Sequence, residues 1–205
     1  MNFFRELTRK PWLASDGAIV DLHDGSAFAL PKVTLGLRVF IVVASVVFTL
    51  FVVAYLERMT LDDWRPMAEP WLLWLSTGLL ILSSVGLQWA RVGARRGRLD
   101  VVKKGMAIGG VFALGFLVNQ LVVWQHLIDL GSFVTENPAN AFFYLLTGAH
   151  GLHLLGGLVA LGRTGNKVWG VHEVSTVRLS VDLCTVYWHF LLLIWFVLFG
   201  LLLIT

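Results

Sequence analysis

Charged residues are scarce in this chain, and acidic ones are absent where apolar residues are densest. Asp, Glu, Lys and Arg make up 14% of the 205 residues, against roughly 25% in an average soluble domain. Within the cores of the five longest apolar runs there is no Asp or Glu at all. A proton pump or ion-coupled carrier usually needs an intramembrane carboxylate, so this chain is not expected to move protons by itself. A single cysteine, Cys184, excludes an internal disulfide and any multi-cysteine metal site. No Gly-rich phosphate loop, no HExxH and no nucleophile elbow occurs. The opening MNFFRELTRKPWLASDG lacks the apolar core of a signal peptide, so the first spanning helix is expected to act as its own insertion signal.

What remains is apolar. Hydrophobic residues are 57% of the chain, with nine Trp and fourteen Phe, which fits an all-α integral membrane protein. Five runs of about 20 or more mostly apolar residues match a ~30 Å hydrocarbon core at 1.5 Å per residue. They are expected as transmembrane helices at approximately 35–56, 71–90, 105–127, 140–161 and 181–204. Residues 1–34 read as a separate, polar N-terminal segment before a five-helix bundle over 35–205. Phe3, Phe4, Leu7 and Trp12 beside Arg5, Arg9 and Lys10 would suit the membrane surface, and a partly ordered tail fits equally.

Fourteen of the sixteen Lys and Arg fall on one side of this five-helix arrangement, and only Arg58 and Arg65 on the other. The excess of basic residues in cytoplasmic connections puts the N-terminus in the cytoplasm and the C-terminus outside. The net charge of +3 is small and the basic residues flank apolar runs. They read as topology and lipid-headgroup charges, not as a nucleic-acid surface.

The fourth run, NAFFYLLTGAHGLHLLGGLVAL, is the most informative. His150 and His153 are three apart and share a helix face, and so do Gly148 and Gly151, with Gly156 and Gly157 beyond. Small residues at this spacing admit a neighbouring backbone, and polar groups at bilayer depth normally face protein. A metal or haem site would need further ligands, and the spans offer His189 and little else. Interhelical hydrogen bonds are therefore the expected role of the pair. Tyr187-Trp188-His189-Phe190 and Trp195 read as aromatic packing, with His189 bonded to a neighbouring helix. Asp182 reads as a solvated residue near a helix start. Asn119, Gln120 and Gln125 read as interhelical glue, and Ser83 and Ser84 as a close-packing pair.

Residues 142–157, FFYLLTGAHGLHLLGG, and 187–195, YWHFLLLIW, resemble subunit III of the haem–copper oxidases. That family carries a T-G-x-H-G-L-H helix, matched by Thr147, Gly148, His150, Gly151, Leu152 and His153. Its last helix carries Y/F-W-H-F and a following Trp, matched by Tyr187, Trp188, His189, Phe190 and Trp195. The run LLILSSVGLQWARVGARRG is similar to its serine-pair helix, and Gly115-Phe116 with Gln120 and Trp124-Gln125-His126-Leu127-Ile128 to its next helix. The similarity covers Leu35 to the end and fits the short five-helix bacterial form.

The resemblance implies a multi-pass protein of the bacterial inner membrane that is not an enzyme on its own. It would hold no haem, copper or other metal itself, and would bind phospholipid. It would sit beside the catalytic subunit I and other oxidase subunits, in a cytochrome c or quinol oxidase whose catalytic subunit carries haem and copper, and a respiratory supercomplex is a further partner. Its role would be to stabilise the catalytic subunit during turnover. Gly148, His150, Gly151, His153, Tyr187, Trp188, His189 and Trp195 would then serve helix packing and the subunit interface. Arg91, Arg95, Arg96, Arg163 and Lys167 would meet lipid headgroups. The chain departs from the family at Ala44, Val123 and Leu192, where carboxylates commonly stand. That loss argues against carrying over a proton-handling role and points to a divergent branch. Rival readings are an accessory subunit of a nitric oxide reductase, an oxidase assembly factor, and a haem-binding membrane enzyme built on His150, His153 and His189.

Overall fold

A computed structural model describes residues 32–65, 71–131, 137–170 and 173–204. The expected membrane-surface segment around Phe3 to Trp12 lies outside them. The chain divides into two units, Met1–Leu35 and Gly36–Thr205, and packing is described for the second. Among the described residues the regular elements are all helical. They are α1 (Lys32–Arg58), α2 (Leu72–Arg95), α3 (Leu99–Asp129), α4 (Pro138–Gly170), a single 3₁₀ turn at Val174–Thr176, and α5 (Arg178–Leu203). All five α-helices are long and apolar enough to cross a membrane.

Each of α2, α3 and α4 outruns its apolar window. Helix α4 continues beyond Leu161 through Arg163, Asn166 and Lys167. Apolarity marks only the part suited to hydrocarbon, whereas a helix ends where its backbone finds a stop. One such stop follows α2. Gly97 adopts φ +70°, its N–H donates to Ala94 O at 3.3 Å, and Arg98 N–H donates to Gly93 O at 2.9 Å. This is the paired closure that a left-handed glycine permits at a helix C-terminus.

The tightest helix pair is α2 with α3, and glycine makes it so. A Cβ on Gly105 would lie 2.6 Å from Ala90 N and 2.7 Å from Gly86 O. One on Gly109 would lie 2.7 Å from Leu87 Cγ. The two backbones therefore meet without intervening side chains. Helix α5 packs on α2 and α4 through Trp188, Leu191, Trp195 and Leu198, all buried.

Helix α1 is different. From Gly36 on, only Ala44, Phe48 and Tyr55 are buried, and the helix meets its neighbours through rings rather than backbone. Tyr55 lies edge-on to Trp64 and Phe142, at 5.0 and 5.6 Å between centroids, and Phe48 lies 5.2 Å from His153. Its outer face, including Val43, Val46, Val47, Leu50 and Val53, is exposed and mostly apolar, and the exposed Thr49 hydroxyl is turned back onto Ser45 O at 2.8 Å.

Candidate functional site

Most hydrogen bonds between helices converge on α2; Trp124 to Thr147 and Tyr187 to His153 O are made elsewhere. Ser83 Oγ donates to Gly109 O of α3 at 2.7 Å and accepts from Trp188 Nε1 of α5 at 2.8 Å. Thr77 Oγ1 donates to Leu73 O and accepts from Trp195 Nε1 at 2.9 Å. Asn119 of α3 donates to Ser76 Oγ at 2.7 Å and to Leu72 O at 3.0 Å, and Ser76 donates to Gln120 Oε1 at 3.2 Å. Thr185 of α5 completes the set by reaching Leu87 O at 3.3 Å. All but the Thr77–Leu73 bond join two helices where water cannot substitute, so a missing partner would leave a costly unpaired group.

The histidine-rich helix behaves differently from the sequence expectation. His150 is fully buried, and neither ring nitrogen has a hydrogen-bond partner. Rings surround it instead: Trp195, Phe116 and Phe48, at centroid distances of 5.3, 5.7 and 6.4 Å. His153 Nδ1–H donates to Ala149 O at 2.8 Å, one turn back on its own helix, and its backbone carbonyl accepts from Tyr187 OH at 2.9 Å. His189 does the same with Thr185 O at 2.8 Å and is exposed on the outer face of α5. The interhelical bonds expected of these three rings are not made: His153 and His189 bond their own i–4 carbonyls, and His150 sits among rings. Among the motif residues, the interhelical donors are the indoles of Trp188 and Trp195 and the hydroxyl of Tyr187. No group of three or more His, Cys, Asp and Glu placed to hold a metal ion occurs among the described residues.

The glycine seam also lies elsewhere. A Cβ on Gly148 would meet Trp124 at 3.4 Å and one on Gly151 would meet Leu117 at 3.9 Å, both ordinary side-chain contacts. Gly157 is the tight position of α4: a Cβ there would lie 2.9 Å from Trp188 and 3.0 Å from Tyr187. Gly156 faces open space.

At the Lys/Arg-rich end, Arg91 Nε donates to Asp182 Oδ1 at 2.8 Å, and Arg95 Nε stands 3.8 Å from the same oxygen. Asp182 is thus the α5 half of an ion pair to α2, not a solvated residue; a 91-residue separation hides such a pair from any local reading. Arg96, Arg163 and Lys167 are exposed. Beside the last two, a groove of about 380 Å³ runs between α3 and α4, lined by Met106, Gly110, Leu114, Leu158, Gly162 and Trp169 among others.

The family model described as cytochrome c oxidase subunit III matches residues 13–204. The chain belongs to that family. It is 31% identical over 173 residues to the cytochrome c oxidase subunit 3 of Synechocystis, covering 80% of this chain and 72% of that protein. It is 32% identical over 128 residues to a Mycobacterium tuberculosis protein named "Probable cytochrome c oxidase subunit 3", and this match spans 60% of the chain and 61% of that relative. Similarity extends to the cytochrome bo(3) ubiquinol oxidase subunit 3 of Buchnera aphidicola, 26% identical over 125 residues and 61% of each chain. As a member of the subunit III family, the chain carries its two motif helices, α4 and α5, against each other and joined through Tyr187 and Gly157.

Proposed function

We propose that this chain is the non-catalytic subunit III of a respiratory haem–copper terminal oxidase in the bacterial inner membrane, stabilising the catalytic subunit and holding structural lipids. The observation that carries the reading is the subunit III match over 13–204, joined to a polar core spent on helix–helix bonds. Ser76, Thr77, Ser83, Asn119, Trp188 and Trp195 all serve packing within the bundle. Haem and copper belong, on this reading, to subunit I.

The orientation goes with the proposal: residues 1–34 as a cytoplasmic segment before the bundle of 35–205, and Thr205 outside. Arg96, Arg163 and Lys167 are exposed cations free for lipid phosphates, and the α3/α4 groove beside Arg163 and Lys167 offers an acyl chain an apolar slot. Arg91 and Arg95 already share Asp182 and have less to offer.

Deleting the chain tests the supporting role. The catalytic subunit should keep its haems but lose activity faster during sustained turnover. Undiminished durability would contradict the role.

A further inference from the structure

A second groove, of about 440 Å³, opens outward between α2 and α5. Ser84, Val85, Gln88, Trp89, His189 and Leu192 line it. Three of these are polar, and among the described residues each leaves at least one hydrogen-bonding group unpaired. Ser84 is 3% exposed, and its Oγ has no hydrogen-bond partner. Gln88 is exposed, with no bond to any described residue. His189 commits Nδ1 to Thr185 O, which leaves Nε2 facing outward.

Depth makes this costly. Ser84 lies about 17 Å along the helix axis from either end of α2, and His189 about 16 Å from the start of α5. Both therefore stand near the middle of a hydrocarbon layer ~30 Å thick. Acyl chains offer these groups nothing, and a headgroup at the interface cannot reach them. The exposed face of α1 makes the contrast: it presents Val and Leu, and its exposed hydroxyl, Thr49, is bonded to Ser45 O. The stripe Ile81, Val85, Gln88, Val92 continues to Arg95, whose side chain is 52% exposed and only distantly paired with Asp182. A cation thus stands at the groove's end, ready for an acidic residue or a helix C-terminus.

We propose that the α2/α5 groove receives a membrane-spanning helix of another polypeptide. That helix presents hydrogen-bonding groups at mid-bilayer to Gln88 and His189, and negative charge at the interface to Arg95. A phospholipid would satisfy Arg95 alone. On the function proposed above, which this assignment of the partner rests on, the helix belongs to the catalytic subunit.

The test is photo-crosslinking in native membranes with the whole complex present. Val85→benzoylphenylalanine and Leu192→benzoylphenylalanine place the probe in the groove, and Val43→benzoylphenylalanine places it on α1 as a control. Groove probes should give adducts with a different polypeptide, and the control should give lipid adducts. Changing Gln88→Leu or His189→Leu should lower the groove yield by about threefold each, the size of an average interhelical hydrogen bond. Phospholipid adducts alone, or adducts between two copies of this chain, would overturn the docking site. The optical spectrum of the same purified material keeps the two ideas apart. Haem with lipid-only adducts sinks the groove and leaves the oxidase reading standing; a polypeptide adduct without haem does the reverse.

Discussion

Trp188 Nε1 of α5 donates to Ser83 Oγ of α2 at 2.8 Å, and that same hydroxyl donates onward to Gly109 O of α3 at 2.7 Å. One serine thereby ties three helices, and the indole can reach it because Gly157 leaves no side chain in its way. Ser83→Ala should remove both bonds and leave the indole N–H unpaired. The expected cost is about 1 kcal/mol or somewhat more. Equilibrium unfolding in mixed micelles would read it, and a cost near zero would show that the relay contributes nothing.

Gly105 sets the distance between α2 and α3. Gly105→Ala would put a methyl group 2.6 Å from Ala90 N, a backbone atom that cannot rotate aside. Overpacking of this kind costs about 1–3 kcal/mol. Gly156→Ala, which meets nothing within 4 Å, is the matched control and should be neutral or slightly stabilising. Thermal unfolding in detergent compares the two; equal midpoints would contradict the seam.

The Arg91–Asp182 pair joins α2 to α5 at the basic end, with both side chains about one-quarter exposed. Solvent screens such a pair, so Asp182→Asn should cost no more than about 1 kcal/mol. It should also loosen Arg91 and Arg95 together, because both address the same oxygen. Nitrogen-15 relaxation of the two guanidinium Nε–H groups should show the change as a parallel rise in mobility, and unchanged relaxation would contradict the shared pairing.

At the opposite end, the Arg58 guanidinium donates to both carboxylate oxygens of Asp63. These hydrogen bonds hold the Asp63 carboxyl below its usual range. With the folded-state value depressed, the pairing contributes fully above the unfolded value of about 3.9 and is lost as pH falls through the depressed value. Carboxyl resonances should titrate Asp63 below an ordinary aspartate, and Arg58→Gln should restore it. An unshifted titration would remove the pair from the loop.

Topology offers a further check. A reporter fused at Thr205 should be active only in its extracytoplasmic form. Cytoplasmic activity there would invert the whole arrangement.

The five helices are readable in the sequence because hydrocarbon thickness fixes the length of an apolar run. The motif residues are readable too, since a histidine or indole inside a span stands out against Leu and Val. Their partners are not. His150, His153 and His189 suggest bonds across helices, yet two of them return to their own i–4 carbonyls and the third sits among rings. Which neighbour is nearest depends on helix rotation, and the apolar pattern fixes rotation poorly when nearly every position is apolar. Gly86, Gly105 and Gly109 show the same blindness: a glycine seam needs two helices in register, and α4 has the more conspicuous glycines but the looser contact at Gly148 and Gly151. Asp182 could be placed near a helix start but not opposite Arg91, which enters from another helix.

The most direct measurement purifies the complex through a tag at Thr205 in mild detergent and records its native mass and optical spectrum before and after harsher detergent separates the chains. The chain should emerge with larger polypeptides whose haem absorbance stays with them, leaving this subunit colourless. A chain that purifies alone, or that keeps a Soret band once separated, would contradict a supporting role beside a redox subunit.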